Sequence, residues 1–142
     1  MNAEQGLSLL NNALAIGRDM ALPPLAVVVL DARACVKASL CDDGVGTLRY
    51  DIALGKASAA LGMRFGTRQF HQLVKRNTLP EMFADCINGA AKGKFIPLPG
   101  GVLILDKAQR IVGAMGISGA NSDQDEAVAV RALESEGFIA SP

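Results

Sequence analysis

GAMGISGANSDQDE, residues 113–126, closes an apolar run and opens a polar segment, with glycines at 113, 116 and 119 and acids at 123, 125 and 126. A strand, a glycine-rich turn and a helix is the order that cradles a pyrophosphate. The spacing, however, is G-x-x-G-x-x-G, and Asp123, Asp125 and Glu126 fill the first helical turn, where a bound phosphate needs bare positive charge. The stretch therefore predicts a sheet strand whose glycines permit close packing, followed by an acid-capped helix bordering a small-molecule pocket.

Working outward, KFIPLPGGVLILD and RIVGAMGIS predict a loop and a hairpin, and SDQDEAVAVRALESEG a last helix stopped at Gly137. Upstream, LAVVVLDARACVKASLCDDG predicts a second hairpin, with strands over 25–31 and 35–41 turning at Asp31-Ala32-Arg33. Both hairpins carry Leu-Asp before the turn and Val-x-Ala after it, a likeness too short to establish a duplication. Residues 3–20 form an amphipathic helix halted by Pro23-Pro24. Thr47 can cap a helix running to about Gly62, whose Ala53, Ala57 and Ala60 recur one turn apart and so can approach a sheet closely. Two short helices follow, Thr67–Arg76 and one with Thr78 as N-cap and Glu81 completing a capping box. Hairpins separated by helices predict an antiparallel sheet in an α+β domain.

With 142 residues the chain fits one domain over 1–142. Its formal net charge is zero, which argues against nucleic acid or an anionic membrane as partner. The strongest apolar run, Leu25–Leu30, is too short to span a bilayer, and the N-terminus lacks a basic-then-apolar leader, so a cytoplasmic location is expected. Three cysteines, Cys35, Cys41 and Cys86, and one histidine lack metal-ligand spacing; no metal site is expected, and the thiols are expected to be free and buried.

Lys56 is the most informative charge, because Ile52, Ala53, Ala59 and Ala60 surround it on the helix. An ammonium on a buried face must pair with a carboxylate, for which Asp43 is a candidate, or serve a ligand, or snorkel. Asp125 and Glu126 border the apolar face of the last helix. Ser122 with Asp125, or Asp123 with Glu126, would form a capping box, and burial would alternatively suit the two acids to proton transfer. His71, in FHQLVKRN, is a surface residue, a satisfied core residue or a ligand. The Gly100-Gly101 pair in PLPGG is a turn or a close approach to a ligand.

Taken together, VVVLD, the DG at 43–44, Lys56-Ala57 with small residues after it, PGGVLIL and IVGAMGISGANSDQDEAVA resemble the GlcG/HbpS-like haem-binding family, found also as the C-terminal domain of some corrinoid adenosyltransferases. The resemblance covers nearly the whole chain. It implies a profilin-like layer, an antiparallel sheet of about five strands with flanking helices, assembled as a homodimer or larger ring, with haem or another tetrapyrrole as ligand. Asp43, Lys56, Gly100, Gly101, Gly116, Ser118, Gly119 and Asp125 match recurrent family positions, and Glu126 stands beside them. Cys41 replaces the arginine that the family often carries two residues before the acid of its DG element. Axial ligands for haem would come from His71, Met63, Tyr50 or the thiols. An alternative function is an enzyme acting on a small oxo- or hydroxy-acid, with Lys56 supplying charge and Asp125 or Glu126 moving a proton.

Overall fold

A computed structural model describes all residues, 1–142. The elements run α1 (Ala3–Asp19), β1 (Ala26–Asp31), β2 (Val36–Cys41), α2 (Arg49–Met63), α3 (Thr67–Lys75), α4 (Glu81–Ala90), β3 (Gly101–Leu105), β4 (Ile111–Ser118), α5 (Ser122–Ser135) and β5 (Ile139–Ser141). The strands form one antiparallel sheet in the order β2-β1-β4-β3-β5. This is the α+β fold expected, and the three-residue β5, which no alternating pattern announces, supplies the fifth strand.

Strand alternation sorts the core into two layers. Val27, Val29, Val102, Ile104, Met115 and Ile117 face α1 and α5, where they meet Leu9, Leu10, Val128 and Leu133 in the main core. Ala26, Val28, Leu30, Leu103 and Ala114 face α2 and its Ala53, Ala57 and Ala60. That second layer is thin because its side chains are small. Gly101 and Gly116, paired across β3 and β4, let the α2 backbone down onto the sheet. A Cβ at Gly116 would lie 1.9 Å from the Ala53 carbonyl oxygen, and one at Gly101 2.3 Å from that of Lys56. Of the glycines of the opening stretch, Gly116 thus serves helix-to-sheet contact, whereas Gly113 lies against the Leu30 carbonyl and Gly119 against the Pro24 carbonyl.

The two hairpin turns share one construction. In each, an aspartate Oδ1 accepts two backbone N–H bonds, Asp31 from Arg33 and Cys35, Asp106 from Ala108 and Arg110. Each three-residue loop ends in a left-handed residue, Ala34 at φ 61° and Gln109 at φ 62°, and each is followed by a bulge. The Leu-Asp likeness therefore marks a common turn, which any three-residue hairpin with an aspartate before it can adopt.

Several local expectations need correction. Leu48, without a side-chain bond, precedes α2 in place of a Thr47 cap. Pro80 precedes α4, so Thr78 and Glu81 form no capping box. The box of α5 is Asn121 with Gln124, one residue before the expected Ser122, and it frees Asp125 for another partner. Cys35, Cys41 and Cys86 are exposed, not buried: Cys35 lies in the hairpin turn, Cys41 ends β2, an edge strand that α2 barely covers, and Cys86 lies on the solvent side of α4.

Candidate functional site

Small residues bring α2 within reach of the point where β4 ends and β3 begins, and Lys56 reaches through at that point. Its Nζ donates to Asp125 Oδ2 at 2.9 Å and to the Ile117 carbonyl at 2.9 Å. Asp125 uses Oδ1 to accept the Ala120 N–H at 3.0 Å, so the carboxylate is held on both sides. The main chain beside it closes as Ile117 N–H donates to the Gly100 carbonyl. Gly100 occupies φ 117°, and a Cβ there would sit 2.9 Å from Lys56 Nζ. Only glycine leaves room for the pair and takes that backbone conformation.

Both side chains of the pair are 2% exposed. Burial pushes the Lys56 ammonium below its usual range, and the Asp125 carboxylate pulls it back up; Arg49 adds to the downward push and Glu126 opposes it. None of the five surface cavities is lined by Lys56, Gly100, Gly101, Ser118, Asp125 or Glu126. Geometrically this is a clasp joining helices on opposite faces of the sheet. Every buried side-chain polar atom in it is satisfied.

The expected residues divide into three groups. Lys56, Gly100, Gly101, Ser118 and Asp125 come together, with Ser118 Oγ accepting from Arg49 at 3.3 Å. Glu126 lies one residue away on α5 and is tied outward to Arg68. Asp43 is exposed in the loop after β2, opening on a polar cleft with Arg18 and Asp42, so the partner of Lys56 is Asp125 and not Asp43. Twelve residues separate Asp43 from Lys56 in sequence, whereas Asp125 meets Lys56 only after the sheet has brought the two helices together. His71 is exposed on α3 in a cleft of about 390 Å3 lined also by Val74, Lys75, Asn77 and Glu81.

Two residues with clear roles escape the sequence reading. Arg68 binds Glu126 through Nε at 3.1 Å and also contacts Asp123, pinning α3 to α5; these two acids raise its already high pKa. Thr67 donates its hydroxyl to the Gly101 carbonyl at 3.2 Å and accepts the Gly101 N–H at 2.9 Å. An arginine in a short amphipathic helix carries no signal of a partner 58 positions away.

The fold is similar to that of several solved structures. PduOC in complex with haem superposes at a TM-score of 0.84, with 19% identity over 97% of this chain and 96% of that one. HbpS gives 0.77, with 22% identity over 96% and 89%, and ORFY of Klebsiella pneumoniae 0.80, with 20% identity over 94% and 88%. At such identities the likeness establishes the fold. No curated protein sequence matches the chain significantly. The family model described as haem degrading protein HbpS-like matches residues 1–134, and the chain belongs to that HbpS-like family.

Proposed function

We propose that this protein binds a small molecule of the tetrapyrrole class, haem foremost, as a cytoplasmic homo-oligomer. The observation that carries the reading is His71, the only imidazole of the chain, exposed beside Lys75 at the α3 cleft. The donor set suits the group: His71 would supply an axial nitrogen, Lys75 one turn later would neutralise a propionate, and Val74 offers apolar contact. Bound haem supplies iron-centred redox and ligand-exchange chemistry. The family description and the haem complex of PduOC support the same ligand.

An open cleft leaves one face of a flat macrocycle uncovered, and a second copy of the chain would cover it. Exposed Met82, at 71%, and Leu48, at 68%, add apolar surface suited to self-association. No helix is long and apolar enough to cross a membrane. Three exposed free thiols fit a reducing compartment. Within this reading Lys56, Asp125, Gly100, Gly101 and Ser118 form the scaffold behind the ligand. An enzymatic role for Lys56 with Asp125 draws no support from a pair sealed from solvent.

Haem titration followed at the Soret band tests the proposal. Saturable stoichiometric binding that is lost in His71→Ala is the expected result, with a mass above the monomer by light scattering. Non-saturating binding, or binding indifferent to His71→Ala, would sink it.

A further inference from the structure

A second cavity lies between α2 and α4 and shares no residue with the His71 cleft. It measures about 420 Å3, and six of its nine lining residues are hydrophobic, so hydrocarbon is the favoured content. Met63, Ile87 and Phe95 contribute wall, while the half-buried Ser58 adds one hydroxyl. Gly62 leaves space open: a Cβ built there meets nothing within 4 Å. α4 packs on Phe70, whose ring stacks on Phe83 at 6.3 Å, and Phe70 meets Phe95 edge-on at 5.3 Å.

Charge at this groove has one sign. Lys94 is its only charged lining residue, is exposed, and belongs to none of the six ion pairs of the chain. Arg33, Arg64 and Lys92 adjoin lining residues along the chain and are also outside those pairs, and no carboxylate lines the space. A neutral hydrocarbon would leave Lys94 without a partner, and a small polyanion would leave the apolar walls wet. A molecule with an apolar body and one anionic end satisfies both.

We propose that the α2–α4 groove binds a small amphipathic carboxylate, its hydrocarbon body between Met63, Ile87 and Phe95 and its carboxylate at Lys94. The site is independent of the tetrapyrrole reading. Gly62 has ordinary helical backbone and open space before it, so Gly62→Leu is expected to fold with an unchanged or higher melting temperature while filling the groove.

Calorimetric titration of the full chain with decanoate, and with decanol as the uncharged control, tests the proposal. One decanoate per chain is expected, with affinity reduced at least about tenfold by Gly62→Leu, and by about threefold to tenfold in Lys94→Ala. Decanol is expected to bind more weakly than decanoate, and His71→Ala to leave decanoate binding unchanged, which separates this site from the haem site. Absence of saturable decanoate binding would overturn the proposal, as would full affinity in Gly62→Leu or equal affinity for decanol. A Gly62→Leu chain that loses its oligomeric mass would show the groove to be a subunit contact, and the proposal would fall.

Discussion

Lys56 and Asp125 meet at 2.9 Å although they come from helices on opposite faces of the sheet. Removing one partner leaves the other buried and unpaired, which costs more than the pair itself contributes. Lys56→Met is therefore expected to lower unfolding free energy by about 3–5 kcal/mol. Lys56→Met with Asp125→Asn should recover part of that loss, because an amide still accepts the Ala120 N–H without carrying a stranded charge. Urea denaturation of the three chains measures the difference; a single variant as stable as the parent would contradict the clasp.

Glycine plays opposite parts at two positions facing and within α2. Gly116→Ala sets a methyl against the Ala53 carbonyl at a distance no real contact shows, and neither backbone can yield cheaply. We expect a loss of about 3 kcal/mol or more, or insoluble protein. Gly62→Ala meets nothing and should gain about 0.5–1 kcal/mol from reduced chain entropy. Thermal melts of both variants compare the two predictions directly.

Acid should weaken the two hairpin turns. Burial pushes the Asp31 carboxyl upward, but the Cys35 and Arg33 N–H bonds and Lys37 outweigh it and hold it below the ordinary 3.8; at Asp106 the bonds from Arg110 lead in the same direction. A carboxylate with a lowered folded pKa binds protons first in the unfolded chain, so it stabilises above 3.8 and loses that contribution as pH falls through its folded value. The Asp31→Asn/Asp106→Asn chain should show a shallower loss of stability than the parent from about pH 5 to about pH 2. Equal slopes would remove these two groups from the acid response.

Arg68 fastens α3 to α5 from a side chain that is 30% exposed, so solvent screens its ion pairs. Arg68→Ala is expected to cost only about 1 kcal/mol globally. Hydrogen exchange should localise the effect, with amides of α3 losing protection and those of β1 and β4 unchanged. Uniform loss across the sheet would mean that Arg68 supports more than α3.

All three thiols are exposed in the folded chain. Ellman's reagent without denaturant should therefore titrate three groups per chain, and Cys86→Ser should reduce the count to two. Thiols that react only in urea would mean that they are covered in solution, in which case a subunit contact over β2 or α4 is the first place to look.

Elements with an apolar run or a repeating apolar face were legible in the sequence itself. The continuous apolar runs of β1, β3 and β4, which mark strands buried on both faces, the leucine face of α1 and the alanine face of α2 each state a local structure that must leave water. The glycines of GAMGISG and the buried placement of Lys56 were equally readable, since both are properties of a single strand or helix. The helix starts fall one or two residues from Thr47, Thr78 and Ser122: Asn121 shares the capping chemistry of Ser122, whereas Leu48 and Pro80 stand at helix starts without any side-chain cap, so the path of the chain sets them. Partnership belonged to the tertiary structure alone. Asp43 is near Lys56 in sequence, yet Asp125, 69 positions away, is the residue that the sheet brings within 2.9 Å. Solvent exposure of the cysteines, the tie from Arg68 to α5 and the groove before Gly62 likewise exist only once separate elements are set side by side. Local periodicity encodes which face turns inward, and it contains no term for which distant face it will meet.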